Sequence, residues 1–326
     1  NLPIVGDEML NIKITTPSFP VSLEKTFKTF RVSDRSIVRD NNTQVFTLHF
    51  ASIELFYDIT LPLYLPFSGK IPDVIDEIYT NFIAESRHYE LNKETSLFQE
   101  DPKVTPLILL NDIENEVKYV SPGWTPFKNL NWLASKSIPK DLTAASFLFW
   151  ESSQAFYFGS MEFLMKNGLD TNIGTYCPTI SGLYNENKTL DINREKFIIS
   201  DLRIDDNVDQ IKNLTNGYLA SSVVDLDIYN RKFDIIEYDY INEYQNQYHT
   251  SGDGIKSIPL FLKNGVRNSS TVSKFAIRNK ALYNNFPDNV DQKMKEHYGN
   301  RRSSLLDLTN MRIQATLPGR TDVEVG

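Results

Sequence analysis

The chain has 326 residues, 40% of them hydrophobic, 12% aromatic and 23% charged, which is enough for two or more cores at the usual ~100–200 residues per domain. Its net charge of −8, from 34 basic and 42 acidic residues, argues against tight nucleic-acid binding, which needs basic patches to displace counterions from phosphates. No apolar run reaches the ~18 residues that span a bilayer, and the single Cys177 can form neither an internal disulfide nor a cysteine zinc site, as fits a reducing cytoplasm.

The first stretch reads as strands. Leu10 to Thr15 alternates apolar and polar, the period of a half-buried strand, and Phe27 to Val32 is rich in strand formers. Asp40-Asn41-Asn42-Thr43 is a turn joining Ser36–Arg39 to Gln44–Phe50 as a hairpin, and the β-branched and aromatic run from Ile53 to Leu65 is expected to continue the sheet.

Near Pro66 the apolar period changes from two to 3.6. Ser68-Gly69-Lys70-Ile71-Pro72 punctuates the chain, and Val74, Ile75, Ile78, Tyr79, Phe82 and Ile83 define one face of a helix expected to run to about Arg87. A second helix starts at Thr125-Pro126, with Phe127, Leu130, Leu133 and Ala134 on its apolar face, and stops before Pro139. Phe147–Trp150 and Ala155–Phe158 form a hairpin across Glu151–Gln154, and Ser160 caps a short helix, Met161 to Met165.

Strands return at Phe197-Ile198-Ile199 and between Gly217 and Tyr240, with a turn at Asn230-Arg231-Lys232. Residues 245–275 are polar and read as a loop or excursion. A basic helix follows from Val290 to about Leu308, interrupted or bent near Gly299-Asn300, and then a strand at Arg312–Thr316. The chain lacks an initiator Met, and Arg320–Gly326 reads as a strand cut short, so both ends of a longer chain are expected to lie outside this sequence. Charge is uneven: residues 185–245 carry 7 basic and 13 acidic groups, whereas residues 246–326 carry 12 and 7.

The sequence offers no catalytic, cofactor-binding or metal site. His49, His88, His249 and His297 share no metal-ligand spacing. No nucleophile elbow or phosphate-cradling glycine loop occurs. Cys177 has no neighbouring base or cation in Thr175-Tyr176-Cys177-Pro178. Asp205-Asp206, Asp225 with Asp227, and Asp239 could supply an acid–base pair for glycoside hydrolysis, but two carboxylates on one strand face also describe any solvated strand. The aromatics interleaved with acids from Tyr229 to Tyr244 could form a sugar platform or simply pack in strands. Asp253-Gly254 lacks the rest of an EF-hand.

Several segments, in order along the chain, resemble the central baseplate hub of T-even-like contractile-tail bacteriophages. Ile4 to Ile14 is similar to the opening of that family's first barrel, and Phe46 to Tyr79, with Leu65-Pro66-Phe67, is similar to the passage from barrel to helix. The most specific likeness is Pro122-Gly123-Trp124-Thr125-Pro126-Phe127-Lys128-Asn129-Leu130-Asn131-Trp132-Leu133-Ala134. Phe147 to Met161 resembles the family's hairpin, and Leu317 to Gly326 its late "PGRTD" strand. Residues around 170–215 and 245–285 carry no such likeness.

The resemblance implies an α+β, mainly β protein with two tail-tube-like antiparallel β-barrel domains. An α/β domain would lie between them, with a smaller insertion in the second barrel. The expected limits are 1–67 for the first barrel, truncated at its N-terminus, and 68–184 for the α+β domain. The second barrel would begin at 185–244, be interrupted by an insertion at 245–285, and close with a helix and strands at 286–326, truncated at the C-terminus. It further implies a homotrimeric, pseudo-six-fold ring of the virion tail baseplate, assembled in the host bacterial cytoplasm. The ring adapts a six-fold tail tube above to a three-fold spike/tail lysozyme protein below. Neighbouring baseplate proteins surround it, phage DNA passes through it without specific binding during ejection, and no part inserts in a membrane. Other readings are a carbohydrate-binding tail module and a cell-wall-degrading glycosidase using paired carboxylates. Exposed strand edges are expected to pair with neighbouring subunits, and the acidic residues of 201–239 to contribute to the lumen, where like charge keeps DNA from being trapped.

Overall fold

The computed structural model describes residues 4, 6, 8–16, 19–38, 43–84, 105–170, 197–206, 211, 215–218, 220–227, 231–243, 273–278, 288–308 and 311–319. Cys177, His88, His249, Asp253-Gly254 and Tyr229 lie outside them, as do Arg320–Gly326 and most of the two stretches without family likeness. The fold mixes helices with a larger number of strands, and among the described residues its sheets have two or three strands each and none closes into a barrel.

The first sheet is antiparallel in the order β1 (Met9–Thr16), β2 (Phe19–Val38), β3 (Thr43–Ala51). The alternation of β1 places Leu10, Ile12 and Ile14 opposite Phe27, Lys25 and Leu23. On the other face Glu24 accepts from Asn11 at 3.1 Å and pairs with Lys13 at 3.5 Å. The 20 residues of β2 are shared lengthwise: β1 pairs with Phe19–Lys28, and β3 pairs with Lys28–Val38. The ladder to β3 is irregular between Thr29 and Arg31 and between Ser33 and Ser36, where Asp34 takes a left-handed φ of 55° that Asp tolerates better than most residues.

Ile53–Thr60, expected as strand, is a helix, α1. Tertiary contacts override its strand-forming composition: Glu54 and Asp58 lie toward the body of the molecule, which supplies a hydrogen-bond donor to each.

The body begins with β4 (Pro66–Lys70), in the segment read from sequence as punctuation. It pairs antiparallel with β6 (Glu116–Val120), and the ladder extends through the bridge between Leu63 and Trp124. Between these strands run α2 (Ile71–Tyr79), continued by a single π-helical turn at Thr80–Ala84, and β5 (Leu107–Leu109). Pro72 sits in the first turn of α2, where its missing N–H costs nothing, and Ile71, Val74, Ile75, Ile78 and Tyr79 are buried as the periodicity demands. α3 (Pro126–Lys136) buries Leu130, Leu133 and Ala134 against α2. The expected hairpin is β7 (Phe147–Glu151) with β8 (Phe156–Ser160), and β5 joins β8 in parallel. Ser160 Oγ caps α4 (Met161–Asp170) by accepting from Phe163 N at 3.2 Å. Phe147, Phe156 and Phe158 are fully enclosed in this core.

In the C-terminal part the only structure at Phe197–Ile199 is a turn and an isolated bridge position, and the strand is β9 (Asp201–Asp206). β10 (Ala220–Asp227) and β11 (Lys232–Asp239) form the expected hairpin, followed by the single turn α5 (Tyr240–Glu243). On its other side β10 pairs in parallel with β12 (Ser273–Arg278), a strand within the segment expected as an insertion. α6 (Asp288–Asp307) is unbroken at Gly299-Asn300. Gly299 is required for contact instead: a Cβ there would lie 2.6 Å from the Tyr238 ring. β13 (Met311–Thr316) returns antiparallel to β9 as an isolated ribbon.

Candidate functional site: open edges, uncovered faces and a carboxylate seam

Each half of β2 is one member of a two-stranded ribbon. Phe19–Lys28 has β1 on one side, and Lys28–Val38 has β3 on the other. Among the described residues two ladder edges therefore remain open, at opposite ends and on opposite sides of one strand. A lone two-stranded ribbon is marginal in water and is stabilised by a third strand or a covering layer. The β4–β6 and β9–β13 ribbons share this property.

Apolar faces are left open beside these edges. On β11, Phe233 and Ile235 are 65% and 57% exposed, and the register sets them beside Leu226 and Val224 of β10, which are level with Ile277 and Phe275 of β12. The opposite face, with Ser221, Val223 and Tyr238 buried, packs under α6. On the β9–β13 ribbon, Ile204 is opposite Ile313 and both are exposed. α1 presents Leu55 and Ile59 outward, 37% and 64% exposed, beside Phe56, whose ring packs against the exposed Phe30 at 6.5 Å.

The inward side of α1 is polar. Glu54 Oε1 accepts from Thr105 Oγ1 at 2.8 Å, and Asp58 Oδ1 accepts from the backbone N–H of Phe127, a first-turn amide of α3. Burial raises the Asp58 pKa, while the Phe127 N–H and the Thr125 hydroxyl pull it down. Alongside, Lys25 Nζ lies 2.6 Å from Glu151 Oε1 and donates to Ser152 O at 3.0 Å, and Ser52 Oγ donates to Glu151 Oε2 at 2.7 Å. Sequence reasoning missed this seam. No spacing in the run marks it, because Glu54 and Asp58, four apart, would share one face of a strand as well as one side of a helix.

The carboxylates weighed for catalysis are dispersed. Asp205 sits on the β9–β13 ribbon, paired with the exposed Arg203 at 3.0 Å. Asp225 is level with Asp234, and Asp227 with Lys232, in the separate β10–β11 ladder, and Asp239 ends β11. His49 Nε2 is 2.9 Å from Ser33 Oγ, whose other neighbour at 2.8 Å is the Asp34 carboxylate. Asp34 thus contacts the serine rather than the outer nitrogen of the imidazole, which is not the order of a nucleophile–base–orienter relay. His297 is buried on α6. Among the described residues no three His, Cys, Asp or Glu side chains converge as metal ligands, and no helix is long and apolar enough to cross a membrane.

No protein-family profile matches the chain, and neither does any curated protein. Among solved structures, the chain is similar to the tail protein from Neisseria meningitidis MC58, at a TM-score of 0.40 and 8% identity over 91% of this chain and 67% of that one.

Proposed function

We propose that this chain is a structural subunit, without catalytic activity, of the central hub in a phage tail baseplate. Three copies form a pseudo-six-fold ring that adapts a six-fold tail tube to a three-fold spike and lets DNA through. The observation that carries this reading is the stepped pairing of β2, which among the described residues leaves one open edge at each end of a single strand. Opposed edges on one subunit suit head-to-tail contacts, which close into a ring when the rotation permits. The segments from Ile4–Ile14 to Leu317–Gly326 that resemble hub proteins support the same role.

On this reading the two strand-rich ends are two tail-tube-like barrels completed by neighbours. The acidic residues of 201–239 contribute to the lumen. The spike/tail lysozyme protein and other baseplate proteins dock outside it, and the assembly belongs to the virion. Light scattering across a concentration series tests the oligomer directly. The expected mass is three times that of the 37.5 kDa chain. A strict monomer at every concentration counts against the ring, and a trimer whose imaged channel is lined by basic groups counts against the acidic lumen.

A further inference from the structure

We propose that the carboxylate seam is a release joint, through which the N-terminal sheet together with α1 undocks from the body as one unit while the body stays folded. This does not depend on the hub reading, since it concerns a single chain. The body's two buried apolar clusters draw their members from Leu63 onward, with Leu61 packed beside them, and no residue before Leu61 belongs to either. The sheet is therefore not part of the core that holds the body together.

Beside the buried Ile53 and the packing of α1 on the π-helical turn Thr80–Ala84, what joins them is polar and directional: Lys25 and Ser52 to Glu151, Lys25 to Ser152 O, Glu54 to Thr105, and Asp58 to Phe127 N. Hydrogen bonds of this kind fix an orientation strictly, yet water can replace each one when the surfaces part, because every partner is also a good hydration site. Apolar burial has no such substitute, and among the described residues before Leu61 the buried apolar side chain is Ile53 alone. α1 touches the body at the Thr80–Ala84 turn as well as the sheet, and we assign it to the sheet because the Phe56 ring packs against Phe30 and under the Lys28 ammonium. The covalent connection is Leu61-Pro62, where Leu61 leaves the helical region with φ −119° and ψ 85°, since a following proline disfavours helical backbone.

Hydrogen exchange read by mass spectrometry tests the joint. Wild type is compared with the double variant Lys25→Gln/Glu151→Gln, which leaves no charge unpaired, at one protein concentration and with oligomeric state matched by light scattering. The expected result is exchange at least tenfold faster throughout β1–β3 and α1, by a common factor, with α2, α3, β7 and β8 unchanged. An equal acceleration in those body elements would mean that sheet and body open together, and an acceleration confined to residues around 25 and 151 would mean local fraying. Either result overturns the proposal. Ser52→Ala keeps the ion pair and gives the same pattern at smaller amplitude, so it decides the matter if the double variant does not fold.

Discussion

Asp58 caps a helix to which it does not belong. The amides of a first helical turn have no partner within the helix, and at α3 Thr125 Oγ1 reaches Lys128 N at 3.4 Å while Asp58 serves Phe127 N. A raised folded-state pKa means that the native state holds the Asp58 proton more tightly than the unfolded chain does. The associated cost is therefore absent at pH well below 3.8, the ordinary value, and present in full once pH exceeds the folded value. Asp58→Asn keeps an oxygen acceptor and removes the ionisation. It is expected to match or exceed wild-type Tm at pH 7 and to lose that margin as pH falls below about 4. Asp58→Ala leaves Phe127 N without its acceptor and is expected to cost about 1–3 kcal/mol in denaturant unfolding at neutral pH. None of this was legible in sequence, since Asp58 sits in an apolar run and its partner is far along the chain. The cap at Thr125 and the cap at Ser160 were legible, because both depend on residues within one turn.

At the scale of elements, sequence period was a good guide wherever a segment packs on one side only. α2 with its π-helical turn, α3 and the β7–β8 hairpin lie within a few residues of their expected limits because their apolar residues face the two adjoining buried clusters. α1 was misread because tertiary donors, not its own composition, select its conformation. α6 was expected to be interrupted or bent near Gly299-Asn300, since glycine weakens helices. Whether it breaks depends on what lies beyond the helix surface, and here the Tyr238 ring fills the space that a Cβ would occupy. Gly299→Ala is therefore expected to destabilise by roughly 1–3 kcal/mol through overpacking, against the few tenths to 1 kcal/mol that the same change yields in an exposed helix. Urea unfolding with wild type alongside distinguishes the two signs. Around the same turns, Asn300 donates to Thr143 O at 2.9 Å, Arg301 to Ser135 O at 3.1 Å and Arg302 to Asn216 O at 2.7 Å, so α6 also ties the C-terminal strands to the body. Phe158→Ala removes an enclosed ring from the main core and is expected to cost about 3–5 kcal/mol, measured as a fall in urea midpoint.

For the whole molecule, the mixture of helices with a majority of strands was legible in sequence, but the association of those strands was not. Strand partners are chosen by register and edge geometry that a single sequence does not display, which is why the parallel pairing of β10 with β12 was missed. The uncovered faces of α1 and β11 belong to this scale as well. Leu55→Glu with Ile59→Glu changes only exposed positions, where substitutions usually shift stability within about 0.5 kcal/mol. The pair is expected to leave monomer unfolding unchanged and to lower the mass seen in light scattering, if the outward face of α1 lies within the ring contact. An unchanged mass would place that face outside it.

The stepped pairing of β2 also has a mechanical side. The chain enters β1 at Met9 and leaves β3 at Ala51, and both residues lie level with Lys28, on opposite flanks of the long strand. Tension carried by the backbone through those two points peels the ladders outward from the middle, one pair at a time, so each rung bears the load alone. A pull applied to β2 at its own two ends is instead carried by an already extended covalent backbone and loads no rung. One sheet is thus compliant toward its own chain and stiff toward whatever grips its ends.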